Sequence, residues 1–265
     1  AAHHRSLEAL RAQEPAEAER RPSWARLLAA LERVPWQPAV GFYEALVGAN
    51  WLYYLDGCDN LGRFDQDLGA YYEADLASGV LNADEGEALV ARVWDNIDTN
   101  GGFNVAIGGS RTDGSDASNA LTLACLRAAR GRRRPNLALR VTAAMPDAIW
   151  QAALDSIAAG GGLPALYNEE LYRRAIRAAH LNVAHADLAR FAFGGCTVPM
   201  IHGCSNVGSL DGGLNLPLIL AHTLQEHLAA AETFEALWQA YAADLRAIRA
   251  RLAEQVSRAQ EEHAR

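Results

Sequence analysis

An α/β protein with parallel strands is the fold class that this sequence predicts, and three observations lead to it. From residue 103 onward, short apolar runs alternate with longer stretches of helical spacing. The links between them are short and rich in Gly, Pro, Asn and Asp. Half of the 265 residues are apolar, enough for one large domain that buries roughly 70–75% of its unfolded surface. Alternating strands and helices joined by short links form βαβ units, whose strands run parallel.

The elements follow in order. Residues 1–21 are charged and weakly patterned, and read as a poorly specified lead-in. Trp24 to Arg33 has helical spacing, broken by Pro35 and Pro38. A second helix is predicted from Ala39 to about Tyr54, with Phe42, Leu46 and Tyr53 on one side. Asp56 to Gly62 reads as a loop from its Gly, Asp and Asn content. A helix through Tyr71 and Tyr72 ends near Gly79, and Asn82 with Glu85 forms a capping box that opens the next, to about Ile97. Phe103 to Ile107 is the first predicted strand, stopped by Gly108-Gly109. Asp116 is expected to cap a helix running to about Arg130. Asn136 to Thr142 is the second strand, Pro146-Asp147 starts a helix, and Pro164 to Tyr167 is a third, very short strand. A helix follows from about Glu169, and residues 215–265 read as two more, the second long and rich in Arg and Glu. With no repeat and no clear linker, residues 1–265 are read as a single domain.

Composition excludes several function classes. A net charge of −8 argues against a general nucleic-acid binder, which needs a basic face for phosphates. Every basic residue is arginine, and the one basic cluster, Arg130 to Arg134, reads as a solvated turn before Pro135. No run of about 18 apolar residues is present to cross a membrane. The four cysteines, Cys58, Cys125, Cys196 and Cys204, have no disulfide-framework spacing, so reduced thiols and a cytoplasmic location are expected. The first residues lack an initiator Met and a signal-peptide core, and read as an arbitrary start.

The segment Phe193-Gly194-Gly195-Cys196-Thr197-Val198-Pro199-Met200 is the most informative in the chain. Glycines on one side and a proline on the other bend the backbone and present one thiol from a loop. Taken alone, Cys196 is as compatible with a small apolar residue under a loop, since free cysteine is among the most buried types. A metal site from Cys196, His202 and Cys204 lacks a fourth ligand and a zinc-like spacing. A cysteine–histidine hydrolase using His202 or His222 lacks a supporting signature. The Gly108-Gly109 and Gly160-Gly161-Gly162 runs are not phosphate loops. Phe103, Asn104 and Asn168 fall at predicted strand ends and are pocket-wall candidates, equally open to core packing. Arg63 and Asp65 read as an internal ion pair rather than as catalytic groups.

Several motifs fall in one order. Leu61-Gly62-Arg63-Phe64-Asp65-Gln66 with Tyr71-Tyr72 and Asp75, then Asn104 to Gly109 with Asp113 to Asn119, resembles segments of the glycyl radical enzymes of the pyruvate formate-lyase type. Pro135 to Arg140, Gly162 to Asn168 and Gly195 to Pro199 are similar to three further segments of that family. The likeness extends from about Phe42 to Leu220. It implies about the first half of a ten-stranded α/β barrel wrapped in helices, with Cys196 on an inner finger loop. It also implies that Cys196 is the radical thiol that takes a hydrogen atom from a small organic substrate, with Thr197 and Val198 beside it at the pocket. No metal is implied. The cofactor would be a glycyl radical, installed by a radical S-adenosylmethionine activating enzyme, and the full-length protein would be a homodimer. The chemistry asks for a protonated thiol, and an ordinary thiol of pKa about 8.5 is mostly protonated at neutral pH.

Three departures restrict what the resemblance implies. The family's dehydrating and eliminating members place glutamate two residues after the cysteine, where this chain has Val198. A lost general base costs about 10²–10⁴ in rate, so elimination through that position is not expected. Gly195 stands where pyruvate formate-lyases carry a second cysteine, which disfavours formate–acetyl transfer. No glycyl-radical motif follows in the residues up to Arg265, so the chain reads as a fragment, inactive alone. The expected activity is therefore radical cleavage of a C–C or C–heteroatom bond, or radical addition. The alternative is a non-catalytic half-barrel remnant that serves only as a folded or interacting module.

Overall fold

The computed structural model describes residues 2–13, 15, 20–56, 60–102, 104–180, 183–194, 198–204 and 214–263. The chain divides into two compact units, Ala1–Gly208 and Ser209–Arg265.

The first unit is built on a four-stranded parallel sheet in the order β1-β2-β3-β4. The strands are β1 (Asn60–Arg63), β2 (Asn104–Gly108), β3 (Asn136–Val141) and β4 (Ala165–Asn168). Helices connect them: α4 (Phe64–Ser78) and α5 (Ala83–Thr99) after β1, α6 (Ala120–Ala128) after β2, and α7 (Asp147–Ser156) after β3. Helix α8 (Glu169–Ala178) leaves β4, while α1 (Ala2–Arg11), α2 (Arg21–Arg33) and α3 (Phe42–Asp56) precede the sheet. Neighbouring strands without register slip pair Asn104 with Asn136, Ile107 with Leu139 and Leu139 with Leu166.

Side chains alternate across a strand, so each of β2 and β3 serves two layers. Val105, Ile107, Leu137 and Leu139 are buried with Phe42, Phe64, Trp94 and Leu121 in the core that the helices cover. Burying a side chain of this size contributes about 1.5–3 kcal/mol, which makes this layer the main source of stability. Ala138 belongs to a second cluster, with Phe191, Phe193 and Ile201. Those aromatic residues lie on β5 (Phe191–Phe193), which pairs antiparallel with β6 (Pro199–Ile201). The predicted apolar runs are therefore strands covered on both sides, as parallel sheets require.

Local signals explain most boundaries. Asn82 accepts from Glu85 N at 2.9 Å and Glu85 accepts from Asn82 N at 3.1 Å, the reciprocal cap expected. Gly79 ends α4 at φ 73°. Pro146 precedes α7 as anticipated. Other expectations are corrected. Asp116 does not cap α6: that helix starts at Ala120, where Asn119 accepts from Thr122 N at 3.1 Å and Thr122 Oγ1 accepts from Asn119 N at 2.9 Å. Asp116 instead accepts from Ser118 N at 2.8 Å and from the Thr142 hydroxyl. Asn60 to Gly62, assigned to a loop, form strand β1 together with Arg63, because pairing with β2 outweighs their weak strand propensity. Helix α3 starts at Phe42 rather than Ala39, with Phe42 N donating to Asp75 Oδ2 at 2.8 Å. The charged lead-in contains helix α1. The arginine cluster is partly paired: Arg130 bridges to Asp155 at 2.9 Å, and Arg132 to Asp95.

The second unit holds α9 (Leu216–His227) and α10 (Phe234–His263), the two helices expected. Asn215 caps α9 by accepting from Leu218 N at 3.0 Å, and the buried Thr223 hydroxyl donates to Asp244 at 2.6 Å. Among the described residues, no helix is long and apolar enough to cross a membrane.

Candidate active site

Parallel α/β sheets bind ligands beyond the carboxyl ends of their strands. Here that edge carries Arg63, Gly108, Arg140 and Asn168, followed by Ser110 and Glu169. Arg140 is fully buried at the end of an apolar strand, and Glu169 opens the next helix. The two form a bidentate pair: Arg140 Nε donates to Glu169 Oε2 and Nη2 to Oε1, each at 2.9 Å. Ser110 Oγ donates to Glu169 Oε1 at 2.7 Å, and Arg173 Nη1 donates to Ser110 Oγ at 3.1 Å. Arg140 Nη2 also reaches the Ala189 carbonyl at 2.9 Å, and its guanidinium carbon lies 4.3 Å from the centre of the Phe191 ring. Burial, and then the neighbouring Arg140 charge, lower the pKa of Arg63 from its ordinary value. The carboxylates Asp67, Asp65 and Glu169 act on Arg63 in the opposite sense, so the charges at this edge are largely balanced.

Asp65 is not paired with Arg63 as expected. Its carboxylate is fully buried, with Oδ2 accepting from Gly108 N at 2.8 Å and from the Thr122 hydroxyl at 2.5 Å. Oδ1 has no partner. Burial pushes this carboxyl above the ordinary range, and the hydrogen bonds from Thr122 and Gly108 only oppose that shift. Over the window between the ordinary carboxylate pKa and the raised one, the folded protein holds a proton that the unfolded chain has released. This contribution to stability is therefore lost as pH rises through that window. Asp65→Asn keeps the accepting oxygen and removes the titration. Its melting temperature is expected to exceed that of the wild type at neutral pH, with the gap closing as pH falls towards the ordinary carboxylate range. Thermal melts across that range check it, and a constant gap would refute the assignment.

The face of the sheet opposite the helical core seats the β5–β6 hairpin. The Tyr167 ring lies 4.1 Å from that of Phe193 between centroids, and Tyr172 lies 5.8 Å from Phe191. Asn104 Nδ2 donates to the Phe193 carbonyl at 2.8 Å, and Asn136 Nδ2 donates to Asn104 Oδ1 at 2.9 Å. Gly194 N donates to Val198 O at 3.0 Å, so a formed hydrogen bond brackets residues 195–197. At the hairpin's base, His202 N donates to Arg190 O at 3.0 Å, and its ring nitrogen lies 2.9 Å from Asp67. That ring packs over Gly62, where φ is +64° and a Cβ would come within 2.5 Å of it, so only glycine fits.

The candidate residues separate accordingly. Cys196, Thr197 and Phe103 lie outside the described residues. Asn104 is buried and bonded to the hairpin; Asn168 is exposed, caps α8 and accepts from Leu171 N at 2.9 Å; Val198 is 55% exposed. Cys125 is buried in the helical core, where burial pushes its thiol well up, and Cys204 is exposed. Glu169, Ser110 and the two tyrosines were not among the sequence candidates. An arginine that ends an apolar strand was the one available signal, since a buried charge needs a partner.

A family model described as pyruvate formate lyase-like matches residues 1–255. The chain belongs to the pyruvate formate lyase-like family. Its glycyl radical relatives include the isethionate sulfite-lyase of Nitratidesulfovibrio vulgaris, 32% identical over an alignment of 165 residues that covers 52% of this chain and 20% of that protein. The trans-4-hydroxy-L-proline dehydratase of Clostridioides difficile is 25% identical over an alignment of 184 residues that covers 62% of this chain and 23% of the relative. The fold is shared with a glycyl radical enzyme from Archaeoglobus fulgidus, at a TM-score of 0.70 and 22% identity over 90% of this chain and 35% of that one. It is also shared with the B12-independent glycerol dehydratase from Clostridium butyricum, at a TM-score of 0.69 and 21% identity over 96% and 36%. The chain thus spans about a fifth of the curated relatives' length. The parallel sheet with its helical cover is similar to the α/β folds of those glycyl radical enzymes.

Proposed function

We propose that this chain is the core of a glycyl radical enzyme that cleaves a C–C or C–heteroatom bond, or adds a carbon radical, on a small organic substrate. Cys196 is the thiol that exchanges a hydrogen atom with that substrate. The observation that carries the reading is the hairpin stem: β5 and β6 lie on the face of the sheet opposite the helical core, and the bond between Gly194 and Val198 brackets Cys196 in sequence. This fits the demand for a thiol held at one place, beside buried aromatic walls that exclude water.

The glycyl radical supplies the unpaired electron that turns the thiol into a hydrogen-abstracting group. The chain's own residues orient and enclose. Tyr167, Tyr172, Phe191 and Phe193 wall the face of the sheet that seats the hairpin, while Arg140, paired with Glu169, ties the end of β3 to α8. Val198 offers no proton acceptor two residues after Cys196, so the bond broken is one that does not need a carboxylate base there. The partners are the substrate, a radical S-adenosylmethionine activating enzyme and, for the complete polypeptide, a second copy of itself.

Electron paramagnetic resonance tests the reading. Anaerobic treatment of the complete polypeptide with the activating enzyme should give a glycine-centred doublet. No organic radical under conditions that activate a relative would point instead to a folded remnant.

A further inference from the structure

The β5–β6 hairpin has three residues in each strand, too few to hold its own register. Something outside it must fix where the Cys196 loop emerges. Asn104 is fully buried on β2, yet its amide is spent on the backbone of Phe193, two residues before Gly195. Its carbonyl oxygen is occupied by Asn136 from β3, which fixes which end of the amide faces the hairpin. A buried amide whose two ends are both bonded cannot flip without leaving donors and acceptors unpaired. We infer that Asn104, oriented by Asn136, is the positioning residue that anchors the cysteine-bearing loop to the sheet.

The inference rests on the reading of Cys196 as the working thiol only for its purpose, not for its geometry. Leucine at either position keeps the approximate volume and removes the hydrogen bond. Asn104→Leu is expected to speed hydrogen exchange of the Gly194 and His202 amides about tenfold, a local opening of the hairpin. Iodoacetamide labelling of Cys196 should shift by a similar factor. The amides of β3 and the thiol of Cys125, buried in the helical core, should keep their wild-type protection. Asn136→Leu removes only the orienting donor, from a position that is part-exposed, and should give the same pattern at about threefold.

Unchanged hairpin exchange and labelling in both variants would overturn the inference. So would parallel loss of protection at Cys125 and β3 in both, since that is plain packing. Neither readout involves turnover. A failed function reading, with activity retained in Cys196→Ser, would leave the hairpin result standing.

Discussion

In the complete, activated enzyme, Cys196→Ser is expected to abolish turnover while leaving the melting temperature nearly unchanged. Sulfur and oxygen differ little in volume, so the loss in packing is small beside the 2–5 kcal/mol typical of a large-to-small core deletion. Chemistry separates the two side chains. A hydroxyl holds its hydrogen more strongly than a thiol does, so the same driving force cannot make it the abstracting radical. The glycine-centred signal should survive, because it is stored elsewhere. Turnover with a small organic substrate, radical yield and thermal melting measured on one preparation check all three. Substantial activity in Cys196→Ser, or its loss in Cys204→Ser instead, would move the site away from this loop.

The largest loss of stability is expected from Arg140→Met. Glu169 is 3% exposed, and the substitution takes away the guanidinium that satisfies both of its oxygens. Breaking a buried ion pair from one side costs about 3–5 kcal/mol, because the remaining charge has no partner. Ser110 alone cannot replace it. The Ala189 carbonyl loses a donor as well. Replacing both partners, as in Arg140→Met with Glu169→Leu, removes the stranded charge and should recover much of the loss. Denaturant midpoints of the single and double variants measure the recovery, and a double variant no better than Arg140→Met would show that the pair is not coupled.

The helical core was largely legible in the sequence, because its elements carry local signals. The Asn82–Glu85 box, Gly79 and Pro146 each act within a few residues, and the apolar runs at 105–107 and 137–139 announce buried strands. What escaped was settled at a distance. Strand β1 exists because β2 offers it a ladder, not because Asn-Leu-Gly-Arg prefers extension. Asn119 outcompetes Asp116 as a cap through Thr122, and its amide also reaches the Asp65 carbonyl, 54 residues earlier. In the site, motif order singled out the Cys196 loop, and Asn104 was a candidate wall of the pocket. Its bond to Phe193 links residues 89 apart, which no local pattern encodes.

The alternation along β2 and β3 has an evolutionary consequence. Residues 105, 107, 137 and 139 answer to the helices, while 104, 136, 138 and 140 answer to the hairpin and the strand ends. Neighbours in the chain are thus under separate selection. A lineage can exchange positions 104, 136 and 138 without disturbing the layer that the helices cover, whereas Arg140 can change only together with Glu169. A shared scaffold among proteins with names as different as sulfite-lyase and dehydratase is what such a division permits.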